Sequence, residues 1–115
     1  MTSLQLEITT HEKRLVYDLM GKSQVKTDEP VEISPGVSVT YMGTRGFKAL
    51  DQPEIIGLIL TIGANLPPNV VASFIGNWLW SKLQGRTESL TIDRVEVELE
   101  EGKITRYIHE RIERK

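Results

Sequence analysis

The stretch IIGLILTIGANLPPNVVASFIGNWLW, residues 55–80, carries no charged side chain, although 26% of the whole chain is Asp, Glu, Lys or Arg. Exposing so long an apolar segment to water would forgo the largest favourable term in folding. The segment must therefore be covered by a hydrophobic core, by a membrane or by a partner protein. Which of the three covers it is the main functional question that this sequence raises.

A proline pair at residues 67–68 divides the stretch into two apolar pieces. The first piece, residues 55–66, is apolar on every side of a helical projection, which is typical of a fully buried helix. Its β-branched side chains leave a buried strand as the alternative, and in either case Ile59 is expected in the core. The second piece, residues 70–80, is predicted to belong to a helix that begins at the prolines and ends near Gln84.

Neither piece reaches the length of about 20 apolar residues that a membrane-spanning helix needs. Three asparagines in the stretch would also require hydrogen-bond partners in hydrocarbon. The sequence therefore favours a cytoplasmic protein that buries most of residues 55–80 itself. The alternative is a membrane-associated protein in which residues 55–80 form a re-entrant or interfacial helical hairpin.

Composition limits the number of domains and the classes of function that this chain can have. A chain of 115 residues is expected to form a single domain, residues 1–115. Its net charge of −2 gives no electrostatic case for nucleic acid as a partner. The absence of cysteine excludes disulfides, thiolate chemistry and Cys-ligated zinc. Residues 1–14 lack the basic flank and apolar run of a secretory signal.

Hydrophobic periodicity predicts the rest of the fold. Apolar and polar residues alternate in residues 4–9, which predicts a strand, and residues 31–41 suit a hairpin or one ragged strand. Residues 90–99 suit a short hairpin or a bulged strand. Helical spacing predicts helices at residues 12–20 and 101–115. The predicted fold class is mixed α+β, with a small sheet covered by helices in the order β-α-β-α-α-β-α.

Local signals set several element boundaries. Thr9 and Glu12 have the spacing of a capping box, so the first helix is expected to start there and to end at Gly21. The alternation changes phase at Asp93-Arg94, which predicts a turn or a bulge. Beyond it, Val95, Val97 and Leu99 are predicted to face the core.

No arrangement of residues predicts a catalytic, cofactor or metal site, so the chain is not expected to be an enzyme. His11 and His109 have no neighbour at metal-ligand spacing, and both are predicted on helix surfaces. The segment Gly43-Thr44-Arg45-Gly46 has the GxxG pattern of KH domains, but it follows a strand-like run, which favours a turn. Four carboxylates cluster late in the chain, and the strand pattern explains them as a solvated face: Glu96, Glu98, Glu100 and Glu101.

The two tryptophans have different neighbours on the predicted second helix. Trp78 aligns with core positions, whereas Trp80 lies on the side that carries Ser73, Gly76 and Asn77. A tryptophan one turn from a glycine and beside small polar residues is typical of a surface that another helix approaches closely. These four residues are the predicted interface for a protein partner or a second copy of the chain. In the alternative interpretation, the domain's own first buried helix fills this groove.

Four segments occur in an order that is similar to a known group of proteins: LQLEITT (4–10), SVTYMG (38–43), the apolar stretch ending in NWLWSKLQGR (77–86) and LTIDRVEVEL (90–99). In this layout the chain resembles the effector-associated constant component proteins of bacterial conflict systems. The resemblance implies a non-enzymatic accessory component, of an adaptor-like kind, that works by contact with a partner or a membrane.

Overall fold

The first half of the charge-free stretch forms a strand, and the predicted buried helix is therefore wrong. The structure is a computed structural model that describes residues 2–46 and 52–114. Its elements, in chain order, are β1 (Thr2–Thr10), α1 (Leu15–Met20), β2 (Pro30–Ser34), β3 (Val37–Gly46), β4 (Glu54–Ile62), α2 (Pro68–Leu83), β5 (Ser89–Ile92), β6 (Val95–Val97) and α3 (Glu101–Arg114).

The strands form one antiparallel sheet of six, in the order β2-β3-β4-β1-β5-β6. This confirms the predicted class, a mixed α+β fold with a sheet covered by helices. The predicted order of elements is wrong in detail, because the chain follows β-α-β-β-β-α-β-β-α.

Strand β4 lies inside the sheet and pairs with β1 on one side and β3 on the other. Leu58 stands opposite Leu6 on one neighbour and Tyr41 on the other. Alternate residues of β4 point to the helix-covered face and are at most 3% exposed: Ile56, Leu58, Leu60 and Ile62. The intervening residues lie on the opposite face, where neighbouring strands leave them half-buried. Isoleucine also occupies positions 55 and 59 on the open face, so the alternation of the strand is obscured and a helical projection shows apolar residues all round.

Helices α2 and α3 pack on each other and cover the apolar face of the sheet. Ile75 and Leu79 of α2 are fully buried, as are Ile104 and Ile108 of α3. The predicted second helix and the predicted C-terminal helix are therefore confirmed, with Lys115 outside the described residues. Removal of these side chains from water supplies the main stabilisation of the two-layer structure.

Helix α1 is tied to the end of α2 by Arg86, in the loop that follows α2. The Arg86 guanidinium donates to carboxylate oxygens of Glu12, at 2.6 Å, and Asp18, at 2.7 Å. Hydrogen bonds to Asp18 and then to Glu12 raise the pKa of Arg86 above its ordinary value. The Thr10 hydroxyl donates to the Arg86 carbonyl oxygen at 2.6 Å. One residue thus connects the end of β1, α1 and the α2–β5 loop.

The predicted start of α1 is wrong by a few residues. The helix begins at Leu15 rather than after Thr9, and the Thr10 hydroxyl instead accepts the Glu12 backbone N–H at 3.0 Å. Its predicted end is confirmed, because Gly21 takes the left-handed conformation with φ of 67°.

Both uncertain strand segments form hairpins. Gly36, with φ of 82°, turns β2 into β3. Asp93 and Arg94 have φ of 49° and 71°, the signature of a two-residue turn between β5 and β6. The phase change seen in the sequence at these residues is therefore a turn.

Within residues 2–46 and 52–114, the structure has no helix that is long and apolar enough to cross a membrane. The helical hairpin considered for residues 55–80 is also wrong, because its first arm is β4. Only the second arm, α2, is helical.

The two faces of β4 give a direct test of this register. We expect Leu58→Asp to unfold the protein, because an unpaired carboxylate under the helices faces a desolvation cost of several kcal/mol against a total stability of about 5–15 kcal/mol. Ile59 is half-buried on the open face, opposite Gln5 and Thr40, so its predicted core position is wrong. Ile59→Asp should therefore leave a folded protein of lower stability. Urea titration followed by circular dichroism measures both. Equal loss of structure in the two variants would contradict the strand register.

Candidate functional site: the outer side of α2

The structure separates the four residues of the predicted interface. Ser73 and Asn77 are exposed on the outer side of α2. Gly76 is buried, and Trp80 is half-buried and packs against the core. Two of the four residues thus face solvent, and the other two contact the protein's own interior.

Gly76 admits a close helix neighbour, as its sequence context predicts, and that neighbour is α3 of the same chain. A Cβ built on Gly76 would lie 2.0 Å from the Thr105 hydroxyl oxygen and 3.1 Å from the Thr105 Cα. No side chain fits in that space without movement of α3. The alternative of an intrachain neighbour is therefore realised, although the neighbour is the C-terminal helix and not a helix formed by residues 55–66.

An open cleft follows this helix contact on the solvent side. Its volume is about 550 Å³, and it runs from Asn69 and His109 at one end to Asn77 and Glu101 at the other. The Asn77 amide donates to a Glu101 carboxylate oxygen at 3.0 Å. Because early residues of α2 lie beside late residues of α3, the two helices run antiparallel.

The outer side of α2 is free of charge. Lys82 is the only charged residue of this 16-residue helix. Five of the exposed positions form one face, which we call the uncharged face of α2: Val70, Ser73, Phe74, Asn77 and Ser81. Val70 is 59% exposed and Phe74 is 37% exposed. The sequence places both in the apolar second piece, residues 70–80, but does not identify them as exposed.

Helix α3 is amphipathic, with charged residues on its solvent-exposed side. Its apolar residues are confined to one face, with Ile104 and Ile108 fully buried. Its exposed positions include Arg106, Glu110 and Arg114. An amphipathic helix of this kind is stable against water, whereas α2 presents valine and phenylalanine where α3 presents ions.

The histidines pair with carboxylates on the surface. His11 Nε2 lies 2.5 Å from a Glu88 oxygen, and His109 Nε2 lies 2.6 Å from a Glu113 oxygen. Among the residues that the structure describes, no group of three or more His, Cys, Asp or Glu side chains is arranged to hold a metal ion.

The late carboxylates lie on the surface around β6. Glu96, Glu98 and Glu100 are exposed, and the Lys103 ammonium contacts both Glu98 and Glu100. The hydrogen bond that the Lys103 ammonium donates to Glu98 is the main cause that raises the pKa of Lys103. Val95 is 49% exposed at the sheet edge, so its predicted core position is wrong.

The GxxG segment, residues 43–46, is the last part of β3 and follows a β-bulge between Tyr41 and Gly43. The predicted closing turn at these residues is therefore wrong. Arg45 forms an ion pair with Glu7 on the open face of the sheet. The segment joins no pair of helices, which is the context in which KH domains use this pattern.

The chain matches no protein-family model, no curated protein sequence and no solved structure.

The contact at Gly76 is testable with a matched pair of glycines. We expect Gly76→Ala to lower the free energy of unfolding by about 1–3 kcal/mol, because the new methyl group collides with Thr105. Gly102→Ala is the control: open space surrounds that position, and alanine in a helix is favoured by up to about 1 kcal/mol. Urea denaturation compares the two. A Gly76→Ala protein as stable as Gly102→Ala would contradict the close approach of α2 and α3.

Proposed function

We propose that this protein is a non-enzymatic accessory or adaptor-like interaction domain that binds another protein through the uncharged face of α2. The observation that carries the proposal is the exposure of Val70 and Phe74 on a face without a single ion. Depletion of charge and enrichment of aromatic residues are the compositional marks of the central part of a protein interface.

Hydrophobic burial gives this face a moderate driving force. Val70 and Phe74 stand one helical turn apart, so their side chains form one continuous apolar strip. Covering the exposed parts of both would contribute about 2 kcal/mol, roughly thirtyfold in affinity. Half-buried Trp78 lies one further turn along the same helix and extends the strip toward its end.

Small polar residues complete the face. Ser73, Asn77 and Ser81 can exchange hydrogen bonds with a partner without the desolvation cost of an ion. Two of these belong to the interface predicted from the sequence. Gly76 and Trp80, the other two, support the face from within by fixing α2 against α3 and the core.

The resemblance to effector-associated constant component proteins supports the accessory role, and the chain's low net charge supports a protein partner over nucleic acid. The partner is a second copy of the chain or another protein, and the proposed compartment is the cytoplasm. Contact of the same apolar strip with a membrane surface is the competing function, and it predicts binding to lipid vesicles.

Substitution of a photo-crosslinking phenylalanine analogue for Phe74 tests the interface whatever the partner is. We expect crosslinked species to form through position 74 in cells that express the protein, because the α2 face is covered there. Tyr17 is the matched control position, since it is an aromatic residue of α1 with 36% exposure against 37% for Phe74. Crosslinks of equal yield at both positions, or none at position 74, would remove the basis of the proposal.

Charge substitution separates the possible partners. With the photo-crosslinking analogue at position 74, Val70→Glu should keep the melting temperature near that of the native chain and abolish the crosslink, while Tyr17→Glu should leave the crosslink intact. Light scattering over a concentration series shows whether the contact is self-association. Co-sedimentation with anionic lipid vesicles that survives high salt and is lost in Phe74→Glu would favour the membrane function instead.

A further inference from the structure

The edge of the sheet at β6 lies beside the flank of α3, and the two enclose a groove of about 400 Å³. The groove is separate from the uncharged face of α2. Val95, Val97 and Tyr107 form its apolar lining, and Glu96 and Glu110 lie on its two sides. A sheet edge, an adjoining helix and an apolar groove between them are the parts that domains use to bind a peptide as an added strand.

The backbone of β6 is open for such an addition. Among the strands in the described part of the chain, β6 pairs with β5 alone. The two-residue turn closes on Ile92 and Val95, so this pair exchanges both of its backbone hydrogen bonds, and so does the pair of Leu90 and Val97. The alternation leaves the N–H and C=O of Glu96 directed away from β5, toward the free edge.

The opposite edge of the sheet is built differently. Strand β2 begins with Pro30, which has no N–H to donate, and its pairing is broken by a bulge between Glu32 and Ser34. Proline and bulges are common protections of sheet edges. The β6 edge has neither, and its Val95 is 49% exposed beside Tyr107. A strand added there would place alternate side chains on Val95 and Tyr107.

The charges around the groove select the occupant. Lys103 forms ion pairs with Glu98 and Glu100. Among the described residues, Glu96 and Glu110 have no ion-pair partner. Arg106 is the other cation at the groove. A second copy of β6 paired in antiparallel fashion about Glu96 would bring two Glu96 side chains together, and like charges in that position are destabilising. Lysine or arginine at the same position of an added strand would be attracted.

We propose that the β6 edge binds an extended, basic peptide segment of a partner protein by strand addition, with apolar side chains of the peptide in the groove and basic side chains beside Glu96 and Glu110. The site is independent of the α2 face and does not require the function proposed for it.

A synthetic probe tests the site directly: a fluorescein-labelled octapeptide of alternating lysine and valine, with blocked ends. We expect saturable binding by fluorescence anisotropy and slower hydrogen exchange of the Glu96 amide in the complex. Methylation of the peptide nitrogens that would face β6 should weaken binding by about tenfold or more, because each lost backbone hydrogen bond contributes about 0.5–1.5 kcal/mol. A peptide of alternating glutamate and valine should bind no better than the methylated peptide.

Variants of the protein provide the second arm. Glu96→Pro removes the outward N–H that β5 does not use, and should reduce affinity for the lysine and valine peptide by about tenfold. The double variant Glu96→Lys, Glu110→Lys leaves every backbone group in place and should reduce the affinity for the peptide as strongly. It keeps the test valid if the proline variant does not fold. Glu32→Lys on the opposite edge and Phe74→Glu on α2 should bind like the native chain.

Three results would overturn the proposal. The first is the absence of binding by the native chain at millimolar peptide. The second is equal binding of the methylated peptide, which would reduce the effect to ionic adhesion. The third is unchanged exchange of the Glu96 amide when the peptide is bound.

Discussion

The pairing of β4 with both β1 and β3 determines where every other part of this protein lies. Leu58 meets Leu6 and Tyr41 across the two ladders, and its side chain points to the helix layer. A shift by one residue would send all the buried side chains of β4 to the open face, so the apolar pattern strongly specifies this register. The helices then have one apolar surface to cover. Because α2 follows β4 after a short loop, it lies directly over that surface and leaves its second side to water.

Much of the fold follows from local patterns, and the exception has a physical cause. The ends of α2, the C-terminal helix and the turn at Asp93 are predicted well because capping residues, amphipathic spacing and a change of phase are local signals. Residues 55–62 are predicted wrongly, because isoleucine also occupies positions 55 and 59 on the open face of β4 and obscures the alternation that identifies strands. The β-branched residues of this segment indicated a strand correctly, and the nine residues of β4 are a usual strand length.

The sequence placed the candidate interface on α2, and the structure leaves two of its four residues, Ser73 and Asn77, exposed to solvent. The apolar spacing of residues 70–80 predicts a helix with a large buried surface, and Gly76 predicts that another helix packs closely against it. Neither the apolar spacing nor Gly76 indicates which helix is the neighbour. The C-terminal helix had its own apolar face to bury, and the Gly76 side of α2 was the place that the topology offered. Once α3 lies there, the surface left to solvent is centred on Val70 and Phe74. Long-range packing therefore decides which part of an apolar helix stays exposed to solvent.

Helix α3 separates the uncharged face of α2 from the groove at β6, and this position has a consequence for binding. Ile104 and Ile108 fix α3 in the core, so neither surface needs α3 to move in order to be occupied. Arg106 is the one side chain that borders both the cleft beside α2 and the groove. Substitutions at Phe74 and at Glu96 share no partner residue, and their effects on binding should add. If both proposed surfaces bind as inferred, the protein would hold an apolar partner and a basic peptide at the same time, which is the physical requirement for an adaptor.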